Sequence, residues 1–220
     1  IIDEYYILMC GFVGILDFSK RINFTNATRA NKVISHRGPD HQGDWSDHKN
    51  IYLGHNRLSV IDISYSANQP FQSEYNDSVI VFNGEIYNYK RLREELSFNS
   101  FITNSDTEVI LYGYLEQGVE FFKKLRGIYA FAILDRRYND KIILARDPSG
   151  VKPLYYREFH NSLTFSSEIK GIIATDNTNH PINNISIRQF LNLGYIPEPN
   201  TVYKNIYALR PGYYMEWSSD

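Results

Sequence analysis

Cys10 is the single cysteine of the chain, and it stands between Met9 and Gly11. Two chemistries fit that placement. A lone cysteine beside an apolar stretch serves as a small buried hydrophobe. A cysteine directly after a methionine also becomes an N-terminal residue once the methionine is removed. Its α-amine, with a pKa near about 8, then lies beside a thiol with a pKa near about 8.5, and the amine is a general base for the thiol at neutral pH. Asn83-Gly84 is the second stretch of interest. As a dipeptide it signals a type I′ hairpin turn. A helical period follows it, however, and a strand ending there offers an amide side chain and a free backbone N–H, the two donors of an oxyanion hole. Glu85 adjoins them, placed to bind an ammonium or to favour a helix N-terminus.

Three further sites have charge to offer. Ser105-Asp106-Thr107-Glu108 fits a capping box, with Ser105 as N-cap and Glu108 reaching back. Asp106 is then either a first-turn acid on the helix dipole or an anion aimed at a substrate ammonium. Arg57, in Gly54-His55-Asn56-Arg57-Leu58-Ser59, is either a surface or ion-paired residue or a bidentate clamp on a carboxylate. Asp147-Pro148-Ser149-Gly150 matches a β-turn and lacks the ending of a phosphate loop. His36 and His41 are separated by a Gly-Pro and do not share a helix face, so no metal site is expected.

The elements that must hold these residues are mostly short strands. Phe12–Leu16, Ile51–Leu53, Leu58–Ile63 and Val79–Phe82 form one group, and Ile128–Leu134, Lys141–Ala145, Leu154–Phe159 and Leu163–Ser166 a second. Turn chemistry at Tyr138-Asn139-Asp140, Asp147–Gly150 and His160-Asn161 implies antiparallel hairpins. Helical periods lie over Ala27–Ile34, Tyr87–Leu96, Thr107–Gln117 and Ser186–Leu193. Thr107–Gln117 is apolar over a broad surface, as a buried helix requires. Strands, helices, then strands indicate an α+β fold of two antiparallel sheets between helical layers.

Composition narrows the function classes. The 220 residues are 43% hydrophobic and 22% charged, which excludes a disordered chain. A net charge of −2 without a basic stripe argues against a nucleic-acid binder. One cysteine excludes an intrachain disulfide and a cysteine-based zinc site. No apolar run approaches the roughly 18–20 residues that span a bilayer, and Asp3 and Glu4 stand where a signal peptide carries positive charge. A cytoplasmic protein is expected.

Seven motifs occur in one order: Met-Cys-Gly-Phe-Val-Gly-Ile at 9–15, His-Arg-Gly-Pro-Asp at 36–40, Gly-His-Asn-Arg-Leu-Ser-Val-Ile-Asp at 54–62, Asn-Gly-Glu-Ile-Tyr-Asn at 83–88, Ser-Asp-Thr-Glu-Val-Ile at 105–110, Arg-Asp-Pro-Ser-Gly-Val-Lys-Pro-Leu-Tyr-Tyr at 146–156 and Ser-Ser-Glu-Ile-Lys at 166–170. In this order they resemble the N-terminal glutaminase domain of glutamine-hydrolysing asparagine synthetases, a class II glutamine amidotransferase. The resemblance covers Met9 to about Trp217 and implies an Ntn-hydrolase fold, a four-layer α-β-β-α sandwich. It implies Cys10 as nucleophile with its own α-amine as base, Asn83 and the Gly84 N–H as oxyanion hole, Arg57 on the glutamine α-carboxylate, and Glu85 and Asp106 on the α-ammonium.

The same resemblance sets the expected organisation. The family begins at the Met-Cys pair, whereas eight residues precede Met9 here, so residues 1–9 are expected to be a leader or upstream extension and 10–220 the glutaminase domain. A retained leader would leave Cys10 without its base and make the chain a glutamine-binding domain. No pyrophosphate-binding loop of the SGGxDS type precedes Asp220, so the C-terminal synthetase domain, with its ATP and Mg²⁺, is expected to be absent from this chain. The expected partners are L-glutamine and that synthetase domain, with no nucleic acid or membrane and with homodimerisation left open. The glutaminase domain itself is expected to need no cofactor. Aspartate is the expected acceptor of the ammonia; a surface-polysaccharide sugar is the alternative.

Overall fold

Residues 79–82, 128–134 and 142–145 are apolar or small at successive rather than alternate positions, which calls for strands covered on both faces. The computed structural model, which describes residues 9–75 and 77–218, shows that arrangement. Its strands and helices are β1 (Gly11–Asp17), α1 (Phe24–Lys32), β2 (His41–Ser46), β3 (Ile51–Arg57), β4 (Phe71–Gln72), β5 (Ser78–Ile86), α2 (Tyr89–Glu95), α3 (Asp106–Gln117), β6 (Gly127–Asp135), β7 (Lys141–Arg146), β8 (Tyr155–Phe159), β9 (Ser162–Ser166), α4 (Ile169–Ile173), α5 (Asn184–Leu193), β10 (Tyr207–Ala208) and β11 (Tyr214–Ser218). Two sheets result, in the orders β10-β8-β9-β1-β3-β2 and β11-β7-β6-β5-β4.

Alternation along the strands builds the layers. Val79, Val81, Ala132, Leu134, Ile142 and Leu144 face the other sheet and pack on Phe12, Leu16, Ile51 and Leu53. Ile80, Phe82, Phe131, Ile133 and Ile143 face the opposite way, against Leu92 of α2 and Val109 and Ile110 of α3. On the far side of the first sheet, Val13, Ile15 and Tyr52 lie against Ala27 and Ala30 of α1. The fold is the expected four-layer α-β-β-α sandwich. α3 is buried over Asp106–Tyr114, as its apolar surface requires, and it ends at Gly118 with φ +63°. No helix among the described residues is long and apolar enough to cross a membrane.

Several expected elements shift. Leu58–Ile63 is a loop, because the strand begun at Ile51 runs on to Arg57 and stops there. Val60 and Ile63 in that loop are 70% and 83% exposed, so their β-branched side chains have no neighbouring strand to pack on. β5 does not end at Asn83 but continues through Gly84 and Glu85 to Ile86, in register with β6. Tyr138–Asp140 and His160-Asn161 close hairpins, with β6 paired to β7 and β8 to β9. Asp147–Gly150 does not; it carries the chain from one sheet to the other. β2 and β11 have no counterpart among the expected strands. Both are edge strands, and β2 contains Gly43 and Asp44, which strands disfavour. The expected leader, apart from Met9, lies outside the described residues.

Gly14 lies mid-strand in β1 with the Phe165 ring over it, so a Cβ there would meet a ring carbon at 2.0 Å. Gly14→Ala should destabilise the fold by about 1–3 kcal/mol through overpacking, as read by urea denaturation. Phe165→Leu in the same chain should recover part of the loss. A Gly14→Ala protein as stable as the parent would mean that the ring is not fixed where it is described.

Candidate active site

The inward-facing stripe of each central strand turns polar at one end of the layer between the sheets. In β1 the stripe of Leu16, Gly14 and Phe12 extends to Cys10, and in β3 the stripe of Ile51, Leu53 and His55 extends to Arg57. Gly11 pairs with Asn56 and Phe12 with His55, which sets Cys10 opposite Arg57. In β5 Val79 and Val81 are followed on the same face by Asn83 and Glu85. A cavity of about 150 Å³ opens at this end, and Cys10, Arg57, Asn83, Gly84, Glu85 and Asp106 all line it. The structure therefore brings together all six residues singled out from the sequence.

Cys10 is held by the loop after β3. Its Sγ accepts from the Leu58 N–H at 3.3 Å and faces the Leu58 carbonyl at 3.5 Å. Arg37 donates from Nε to the Cys10 carbonyl at 3.0 Å, and the Met9 N–H bonds the Arg37 carbonyl. Burial pushes the thiol pKa up; the Leu58 bond, Arg57 and Lys152 oppose that, and Asp106 adds to it.

Two donors in the cavity have no partner. Asn83 is 1% exposed and its Nδ2 makes no hydrogen bond among the described residues. The Gly84 N–H follows from strand geometry. In an antiparallel pair, alternate residues turn their backbone N–H and C=O away from the partner strand. The Phe82 N–H turns away from β6 and bonds Gln69 Oε1 at 2.6 Å; the Ile86 N–H does the same and bonds Asp106 Oδ2 at 2.9 Å. Gly84 lies midway, with the same orientation and no strand beside it, since β4 pairs only as far as Ile80. A Cβ at Gly84 would meet the Ile128 carbonyl at 2.3 Å, so only glycine fits there.

The charged groups are placed differently from one another. Arg57 is 6% exposed, and its guanidinium donates to the carbonyls of Asp62 and Ser64 and to Asn68 Oδ1. It is neither a surface residue nor, among the described residues, ion-paired. Of its five N–H donors, Nε–H and one at Nη2 have no partner among the described residues. Asp106 is buried at the start of α3, and burial, reinforced by Glu85, raises its pKa to about 6 against the Ile86, Asp106 and Thr107 N–H groups. Glu85 is exposed at the rim. The capping box forms only in part: Ser105 Oγ accepts from the Thr107 N–H at 3.0 Å, but Glu108 does not reach back to Ser105. Its carboxylate is taken by Thr103, at 2.8 Å from the N–H and 2.6 Å from the hydroxyl, and by the Ile102 N–H.

Residues unmarked in the sequence complete the site. His55 Nε2 bridges the two sheets to the Phe82 carbonyl at 3.0 Å, and burial lowers its pKa to about 3, so it is a neutral donor. Gln69 bonds both Phe82 and, from Nε2, Thr107 Oγ1 at 3.3 Å. Lys152 enters from the Asp147–Gly150 turn. A larger cavity of about 560 Å³ lies elsewhere, with the Arg157–Asp176 ion pair in its wall and none of the six residues. The described residues contain no group of three or more His, Cys, Asp or Glu side chains suited to a metal ion.

The family described as glutamine amidotransferase domain matches residues 9–220. The chain belongs to that family. Among relatives of this amidotransferase domain, a putative asparagine synthetase [glutamine-hydrolyzing] of Methanocaldococcus jannaschii is 39% identical, over 91% of this chain and 42% of its own length. An asparagine synthetase [glutamine-hydrolyzing] of Bacillus subtilis is 39% identical, over 93% of this chain and 33% of its own length. A Gibberella zeae protein named amidase chry2 is 37% identical over 83% of this chain and 27% of its own length. The amidotransferase domain thus spans about a third to two fifths of the two synthetases. Its fold is shared with the glutamine phosphoribosylpyrophosphate amidotransferase of B. subtilis, at a TM-score of 0.60 and 22% identity over 76% of this chain and 43% of that one. This bears out the Ntn-hydrolase fold.

Asp106 makes a test of the electrostatics. Its folded-state pKa lies above the ordinary value near about 4, so its share of the stability is complete below about pH 4 and is lost as the pH rises through about 6. Asp106→Asn keeps the Ile86 bond and cannot ionise. It should match the parent at pH 4 and exceed it by about 2 kcal/mol at pH 7.5 in urea denaturation. A difference that does not grow with pH would show that Asp106 ionises freely.

Proposed function

We propose that this domain hydrolyses L-glutamine to L-glutamate and ammonia, with Cys10 as the nucleophile after removal of Met9. The observation that carries this reading is the pair of unpartnered donors, Asn83 Nδ2 and the Gly84 N–H, in the cavity that holds the only thiol. Buried donors are ordinarily satisfied, and two left free at one place fit a negative charge that exists only during reaction.

The steps follow from the groups present. The Cys10 α-amine takes the thiol proton, and the thiolate attacks the side-chain amide carbon of glutamine. Asn83 and Gly84 stabilise the tetrahedral oxyanion. The leaving nitrogen takes the proton back from the α-ammonium and departs as ammonia, leaving a γ-glutamyl thioester. Water then adds, giving its proton to the α-amine, and glutamate leaves as the thiol is restored. The Nε–H and Nη2–H donors of Arg57 suit the substrate α-carboxylate, while Asp106 and Glu85 suit its α-ammonium. No metal or cofactor enters these steps.

The ammonia would serve asparagine synthesis, with ATP and Mg²⁺ used by a further domain of the synthetase type. The synthetase relatives support this, since this domain accounts for only 33–42% of their length.

Protein whose mass shows an N-terminal Cys10 should release ammonia from glutamine without ATP or metal, and protein retaining Met9 should not. Robust turnover with Met9 in place would sink the α-amine mechanism. Asn83→Ala should lower kcat by roughly 10²–10³ with KM little changed. A loss confined to KM would make Asn83 a binding residue. A glutamine analogue without the α-carboxylate should be a poor substrate, and equal kcat/KM for both compounds would remove Arg57 from its role.

A further inference from the structure

Lys152 shares the cavity with Cys10, and the mechanism above gives it no task. The chain fixes its position tightly. Its N–H bonds Asp147 Oδ2 at 3.0 Å, and its carbonyl accepts from Arg146 Nε at 2.8 Å. Its side chain is buried, with the residue 8% exposed. No ion pair forms at its ammonium among the described residues. The hydrogen-bond partner of Nζ is Met9 Sδ, at 2.9 Å. A thioether is a weak acceptor, and a buried ammonium is rarely left with so little.

We propose that Lys152 is a positioning residue of this site, whose ammonium provides the counter-charge for the Cys10 thiolate and favours the neutral form of the Cys10 α-amine once Met9 is gone. The second half rests on the glutaminase reading; the first concerns the thiol of the chain as it stands. A nearby cation favours a thiolate over a thiol and an amine over an ammonium, so it moves both titrations down. Charges on the packed elements act in both directions. Arg57 of β3 acts on Cys10 in the same direction as Lys152, and Asp106 of α3 acts against it. Burial and Arg37 press the Lys152 ammonium below the ordinary lysine range, while Cys10, Asp147 and Glu85 support its charge. Loss of Met9 removes the thioether and leaves Nζ to the reacting end of the chain.

Cys10 is the only cysteine, so alkylation by iodoacetamide reports on its thiolate alone. In the full chain, the rate against pH gives a midpoint. Lys152→Met should raise that midpoint by about 1 pH unit, and Lys152→Arg should leave it nearly unchanged. An unchanged midpoint in Lys152→Met overturns the proposal. Where circular dichroism shows that Met is not tolerated, Lys152→Gln removes the same charge and is read in the same way. In protein with a mass-verified N-terminal Cys10, the acid limb of kcat/KM for glutamine should rise in step with the midpoint, and a limb that stays in place overturns the α-amine half. If that protein hydrolyses no glutamine in its unsubstituted form, the glutaminase reading falls, and the alkylation midpoint still decides the thiolate half.

Discussion

The site depends on a strand edge that no strand covers. β4 is two residues long and pairs with β5 only at Val79 and Ile80, so beyond that point β5 turns a row of backbone groups toward empty sheet. Buried N–H and C=O groups must find partners, and here side chains from three other places supply them. Gln69 takes the Phe82 N–H, His55 takes the Phe82 carbonyl, and Asp106 takes the Ile86 N–H. Each bond also ties an element down. Gln69 reaches α3 through Thr107, His55 belongs to the opposite sheet, and Asp106 begins α3. One unpaired edge thereby locks both sheets and a helix around Gly84, whose own N–H is left free.

That arrangement explains which parts were legible in the sequence. Strands β5, β6 and β7 were visible because both faces are buried and their apolar runs are unbroken. The order of the seven motifs pointed to six residues, and all six line the cavity. What could not be read concerns partners remote in the chain. Asn83-Gly84 has the dipeptide of a hairpin and a helix soon after it, yet pairing with Ala130 and Tyr129 keeps it in strand. Leu58–Ile63 has strand-like residues, but Arg57 draws the carbonyls of Asp62 and Ser64 into its own hydrogen bonds. Glu108 has the capping spacing and is claimed instead by Thr103. Gln69 lies in none of the seven motifs, and His55 and Lys152 lie within two of them without a local sign of their tasks, which exist only across the sandwich. β11 was readable in principle, because Met215 and Trp217 alternate toward the core.

The cavity also collects what the rest of the fold avoids. The layer between the sheets is apolar from Leu134 to Phe12, and at its end stand a desolvated thiol, a buried acid, an ammonium bonded to a thioether and two idle donors. Other buried polar atoms without a partner, such as Tyr52 Oη and Ser186 Oγ, lie elsewhere, but only this cavity sets one beside a thiol, an acid and an ammonium among the described residues. Titratable groups pushed from their ordinary ranges and gathered in one cleft are the physical mark of a functional site. The rigidity that tolerates it comes from the satisfied groups on either side, at Phe82 and Ile86.

Asp106 carries a consequence for the thermodynamics of recognition. With a carboxyl pKa of about 6, a fraction of molecules near neutrality hold a proton at the place where an ammonium would dock. Docking favours the carboxylate, so that fraction must discharge its proton to the surroundings. The heat of association then contains the ionisation enthalpy of whatever buffer accepts it. Titrations in phosphate and in Tris would differ in enthalpy while agreeing in free energy, and the gap between them counts the net protons released on association, Asp106's among them.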